Sequence, residues 1–188
     1  MRAPPPSGPL VHLPDGFRLV QGDVQPLIPS ALPASEAEHG PFLRPGHRVE
    51  LVCNGHIFDV LVEELSRARE SIHLCIYIWR PGRVSDRLLA VLTERARAGV
   101  ACRLVVDAIG SGKGFEEQVR PELERAGCEV RRFNPPRLWT FWRLLLRNHR
   151  KLLVIDGRVG LAGGWCISDE WDGHGQREDE WQIGRAHV

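Results

Sequence analysis

The chain has 188 residues, of which 43% are hydrophobic, and a formal net charge of +1. That length suits one domain with a real core and is short for two large ones. The near-neutral balance excludes a global attraction to nucleic acid or to an anionic membrane, so any such attraction must be local.

Residues 1–45 hold 10 of the 14 prolines and show no lasting periodicity, which predicts a proline-rich irregular arm. Met1 to Pro9 is not followed by the apolar run of a signal peptide. No stretch reaches the roughly 18 apolar residues of a membrane span, so a membrane contact would be peripheral, at the inner membrane face. The five cysteines, Cys53, Cys75, Cys102, Cys128 and Cys166, form no CxxC pair. Their spacing suits neither a zinc site nor a disulfide framework, and reduced thiols in a cytoplasmic setting are expected.

From His47 the texture changes. Ile57, Phe58, Val60, Leu61, Leu65 and Ala68 recur at helical spacing and predict an amphipathic helix over 56–70. Ser71 to Trp79 alternates as a strand, with a second face apolar enough for a central position in a sheet. Ser85 is the expected N-cap of a helix through Ala98, closed by Gly99. Val100 to Ala108 is the next strand. Phe115 to Ala126 is a helix in which Pro121 predicts a break or kink, closed by Gly127. Cys128 to Phe133 is a short strand. Leu152–Ile155 and Val159–Ala162 flank Asp156-Gly157, a hairpin signal. Alternating strands and helices ending in a hairpin imply a layered α/β/α domain whose mixed sheet is parallel at its centre.

The chemistry concentrates at Asn148-His149-Arg150-Lys151 and Asp156-Gly157, which spell HxKxxxxD. Strand alternation puts His149 and Lys151 on one face of an extended segment. A nucleophile and a cation addressing one phosphate need that placement. Position alone does not show whether Asp156 touches His149. Gly163 and Gly164 follow the second hairpin strand, where glycines let the backbone approach a ligand closely.

These residues carry a resemblance. Ser71-Ile72, Tyr77-Ile78-Trp79, Arg97-Ala98-Gly99-Val100, Asp107 with Gly110-Ser111, Phe133-Asn134-Pro135, HxKxxxxD, Gly163-Gly164 and Ile167-Ser168-Asp169 together resemble the phospholipase D superfamily, in its bacterial cardiolipin synthase-like branch. The resemblance runs from about His47 to about Gln182 and makes 46–182 a catalytic domain, the first half of a two-motif enzyme. It implies that His149 attacks a phosphodiester phosphorus to form a phosphohistidine. It implies that Lys151 holds the non-bridging oxygens and that Asp156 supports the site. A histidine from a second motif, supplied downstream or by a homodimer, would protonate the leaving alcohol. No metal and no cofactor are implied. Gly163, Gly164 and residue 166 would line the phosphate. The family commonly has Asn at this last position; Cys166 stands there instead, and a thiol is a weaker partner.

Other features read more blandly. His73 is expected to pack. Gly110-Ser111-Gly112-Lys113-Gly114 lacks the spacing of a nucleotide-binding loop. Asp107 ends a strand at the sheet's C-terminal edge, where sites often lie, or simply caps the loop that follows it. Residues 131–151 contain seven basic side chains and no acid, interleaved with Trp139, Phe141, Trp142 and Leu144 to Leu146. That run suits an element facing anionic lipid, or equally a packed helix with solvated arginines. It favours a phospholipid substrate over nucleic acid. Ile183-Gly184-Arg185-Ala186-His187-Val188 is encoded by a string that matches a common sequencing adapter, so 183–188 is taken as an artefact and left out of the fold. A family nuclease and a catalytically silent scaffold domain are the alternatives to phospholipid transfer.

Overall fold

The computed structural model describes residues 17–19, 49–52, 54–136 and 146–173. The chain divides into two compact units, Met1–Cys53 and Asn54–Val188. In the first, Phe17–Leu19 (β1) pairs in parallel with Val49–Leu51 (β2), Phe17 opposite Val49. For those three residues the expectation of an irregular arm is corrected. Their apolar–basic–apolar pattern is too short to register as periodicity, and only a distant partner makes it a strand. The rest of the arm lies outside the described residues.

The second unit carries His56–Ser66 (α1), Ser71–Ile76 (β3), Arg83–Arg97 (α2), Ala101–Asp107 (β4), Glu129–Phe133 (β5), Leu152–Ile155 (β6) and Val159–Ala162 (β7). Between β4 and β5 runs a composite helix, α3. It is built from Gly112–Gly114, a π-helical turn Phe115–Val119 and Arg120–Arg125. The sheet order is β5-β4-β3-β6-β7. β3, β4 and β5 run parallel, while β6 and β7 are antiparallel to their neighbours.

Alternation along the strands sets the core. Ile72, Leu74, Ile76, Cys102, Leu104, Val106, Val130, Leu153 and Ile155 are buried. Leu61 and Leu65 of α1 and Leu88 and Leu92 of α2 close on the same side as Leu74 and Leu153. Both crossovers step the same way across the sheet, so right-handed connections place their helices on one face. The other face carries His73, Cys75, Arg103, Val105, Glu129, Arg131, Leu152 and Val154 around a groove of about 310 Å³. His73 is therefore an exposed groove residue, not a packed one.

Three local readings are corrected. Ser85 does not cap α2; it lies within the helix, buried, and its Oγ accepts the Trp79 indole N–H at 2.7 Å. The cap comes from across the chain. Asp169 accepts the N–H groups of Arg83 at 3.1 Å and Val84 at 2.9 Å. Its carboxylate fills the space beside Gly82 (φ +154°) where a Cβ would lie 2.9 Å away, so glycine makes room for the cap. Burial raises the Asp169 carboxyl, but those N–H groups and Arg83 outweigh it and hold the group below its ordinary value. Pro121 does not break its helix. The Arg120 N–H reaches the Phe115 carbonyl, and this widened turn accommodates the ring that follows. Finally, β3 ends at Ile76 rather than Trp79. Trp79 forms only an isolated bridge to Ile167.

Candidate active site

The parallel strands β3, β4 and β5 end on one edge of the sheet, and the antiparallel β6 begins there. Residues 147–151 thus enter the sheet beside the ends of β3 and β4. Lys151 is buried at 5% exposure and His149 is exposed. Their side chains meet as alternation requires. The Lys151 Nζ stands 2.9 Å from His149 Nδ1 and donates to the His149 carbonyl at 2.8 Å. An ammonium can only donate, so Nδ1 accepts and a neutral ring carries its proton on Nε2.

Tyr77, just beyond β3, forms the floor. Its ring lies 4.7 Å from the imidazole, tilted by 56°, and 5.2 Å from the Lys151 nitrogen. Gly110 holds Tyr77 in place: a Cβ there would sit 2.3 Å from the Tyr77 carbonyl oxygen. Ser111 Oγ donates to that oxygen at 3.2 Å. The Gly110–Gly114 stretch is therefore a packing loop behind the site.

Burial, and then the Lys151 charge, lower the His149 imidazole pKa from its ordinary value. Burial lowers the Lys151 ammonium, opposed by Cys166. The first shift favours the neutral imidazole that a nucleophile requires.

Asp156 is elsewhere. It occupies the β6–β7 turn with φ 52°, next to Gly157 at φ 64°, and Arg158 N–H closes the turn on the Ile155 carbonyl at 2.9 Å. These positive angles belong to the turn type that Asp-Gly favours. The carboxylate accepts the backbone N–H groups of Arg69 at 2.9 Å and of Glu70 and Ser71 at 2.8 Å. Those bonds, Ser71 first, hold its pKa below the ordinary value. Asp156 thus pins the hairpin to the start of β3, at the strand end remote from Lys151. Asp156→Ala is expected to lower the thermal midpoint at neutral pH. A depressed carboxyl contributes above its unfolded pKa and loses that contribution as pH falls through the folded one. The gap between variant and parent should therefore close in acid, as thermal melts across pH would show; equal midpoints at neutral pH would refute it.

Gly163 and Gly164 are exposed, and the Gly163 N–H reaches the Lys151 carbonyl at 3.4 Å. Cys166 is buried, its thiol raised by burial and drawn down in part by Lys151. Trp139, Phe141, Trp142, Leu144 and Leu145 lie outside the described residues. Leu146, at the end of that run, is 61% exposed.

Sequence reasoning gave Tyr77 no role of its own; it is the only tyrosine in the chain. Asp107, expected either at a strand end where sites often lie or as a loop cap, caps its loop through the N–H groups of Ile109 and Gly110, both at 3.0 Å, and also binds Arg147 and Asn148. Its strand-end position was the available signal for the second pair of bonds.

The His149 imidazole and the buried Lys151 ammonium thus meet at the edge of a mixed α/β sheet. The chain belongs to the family described as cardiolipin synthase, PLD-like domain, which matches residues 61–170. It is similar to a cardiolipin synthase of Listeria innocua, 37% identical over 145 residues, covering 76% of this chain and 30% of that protein. A cardiolipin synthase of Geobacillus is 38% identical over 146 residues, covering 71% and 29%. Among solved structures, Nuc of Salmonella typhimurium, a phospholipase D family member, aligns with TM-score 0.48 at 16% identity, covering 66% of this chain and 70% of that one. The chain spans about 30% of the length of the curated relatives it matches.

Proposed function

We propose that this domain carries the nucleophilic half of a phosphatidyltransferase of the cardiolipin synthase type. The observation that carries the proposal is the His149–Lys151 pair, a kept-neutral imidazole touching a buried ammonium. In the reaction, a non-bridging phosphate oxygen replaces His149 as the partner of Lys151. The released imidazole attacks phosphorus. A P–N bond forms and the P–O bond to the leaving alcohol breaks. The leaving oxygen takes a proton from an acid on the opposite side, and an acceptor alcohol or water then displaces the imidazole. One HxKxxxxD supplies one face of that in-line displacement. A second motif, from further along a longer polypeptide or from a second copy of the chain, supplies the acid.

A phospholipid substrate and a peripheral membrane contact are supported by the rim of the same edge. Ile109, Phe133 and Leu146 are 43%, 37% and 61% exposed. The Ala108 N–H to the Phe133 carbonyl (3.2 Å) and the Asn134 amide to the Leu146 carbonyl (3.0 Å) knit their three segments together. No helix among the described residues is long and apolar enough to cross a membrane. The test is turnover on phosphatidylglycerol vesicles, plasmid DNA and a fluorogenic phosphodiester in parallel. Lipid turnover without plasmid cleavage is expected. Plasmid cleavage with intact lipid would establish the nuclease reading, and no turnover on any substrate, with a homodimer or an extended chain included, would establish a silent scaffold.

A further inference from the structure

We infer that Asp107 is a positioning residue for the nucleophile, acting through the backbone of Asn148. Residues 147–151 precede β6, so the segment bearing His149 and Lys151 lacks the ladder that orders an ordinary strand. Its backbone polar groups need other partners. Asp107, fully buried at the end of β4, provides one: its Oδ2 accepts the Asn148 N–H at 3.0 Å. The other oxygen accepts Arg147 Nη1 at 3.2 Å as well as the two loop N–H groups. One carboxylate thereby ties the end of a central strand to the residue immediately before His149.

Asn148 extends the tie past the nucleophile. Its amide nitrogen donates to Cys75 Sγ at 2.9 Å, and its side-chain oxygen accepts the Arg150 N–H at 3.3 Å, so His149 is bracketed on both sides. Among the described residues the imidazole meets Lys151 and the Tyr77 ring, neither of them a carboxylate. Its place is therefore set by its backbone, and the backbone by Asp107. A loop cap alone would need only the Ile109 and Gly110 bonds; the bonds to Arg147 and Asn148 are what the positioning role adds.

The inference rests on the phosphodiester-transfer reading for its turnover arm only. The test compares the parent chain with Asp107→Asn by NMR titration of the His149 ring nitrogens and by steady-state kinetics. Asparagine keeps the shape and loses one acceptor and the charge. The His149 titration is expected to move up toward the ordinary imidazole value, with kcat down roughly 10- to 100-fold and KM within about twofold, as for a displaced reacting group. A lower thermal midpoint with an unmoved His149 titration would overturn the inference and leave Asp107 a loop cap. Should Asp107→Asn fail to fold, Asn148→Pro keeps Asp107 and its loop bonds and removes the N–H that its Oδ2 accepts. It is expected to shift the titration the same way by less, and no shift would likewise overturn the inference. If the parent shows no turnover on any phosphodiester, the functional reading fails while the titration still decides the role of Asp107.

Discussion

His149→Ala is expected to reduce phosphodiester turnover by at least about 10⁴-fold, the scale of losing a covalent nucleophile. The ring is exposed, so the thermal midpoint should stay within about 2 °C of the parent. The pH profile of the parent supplies an independent check. Protonation of His149 removes the nucleophile, and burial with the Lys151 charge puts that pKa below the ordinary 6.5. Deprotonation of Lys151 removes the charge that meets the phosphate, and burial puts that pKa below the ordinary 10.5. Both limbs of kcat/KM should therefore lie on the acid side of free histidine and lysine. Residual turnover above about 1% of the parent would show that another group attacks phosphorus.

Lys151→Met is expected to separate activity from stability. The ammonium is buried and meets a carbonyl, an imidazole and an aromatic face. Such a site disfavours the charged form, and a thioether of similar length fits it without desolvation. Turnover should fall roughly 10³-fold, because the developing phosphate charge loses its preorganised cation. The thermal midpoint should rise by about 1–3 °C, as when a functional strain is relieved. Paired activity assays and melts decide it. A midpoint several degrees below the parent would mean that the ammonium holds the fold together and that its catalytic share cannot be read from this variant.

Much of this was legible in the chain because it is local. Period-two alternation placed His149 and Lys151 on one side, and their 2.9 Å separation bears that out. Asp156-Gly157 marked the hairpin, because a turn with two positive φ angles admits few other pairs. The helix expected over 56–70 from apolar spacing runs over His56–Ser66, and the one expected from Ser85 to Ala98 from its end signals runs over Arg83–Arg97. The misreadings share a cause. Ser85 looked like a cap because serine usually is one, but the buried Trp79 indole claimed its oxygen and Asp169 took the helix end from 85 and 86 residues away. Asp156 closes the motif, and its position alone left contact with His149 open; the strand between carries it to the other end of β6, where it binds residues 69–71. Asp156 and Asp169 reach backbone more than 80 residues away, and no window of neighbouring residues contains that information. Pro121 differs: a single widened turn, invisible to propensity, lets the helix continue.

The sheet order has a consequence for how the site comes into being. β3 pairs with β4 through one local crossover, but it receives β6 from roughly 80 residues away, Ile72 opposite Ile155 and Cys75 opposite Leu152. Closing that distance costs more chain entropy than any neighbouring pairing in the sheet, and such contacts are made late. The three Asp156 bonds to residues 69–71 are the latch on that closure. A chain that has already assembled its helices and parallel strands still has no active site. Competence arrives as a discrete event, when the hairpin docks and brings the imidazole and the ammonium to the sheet edge together.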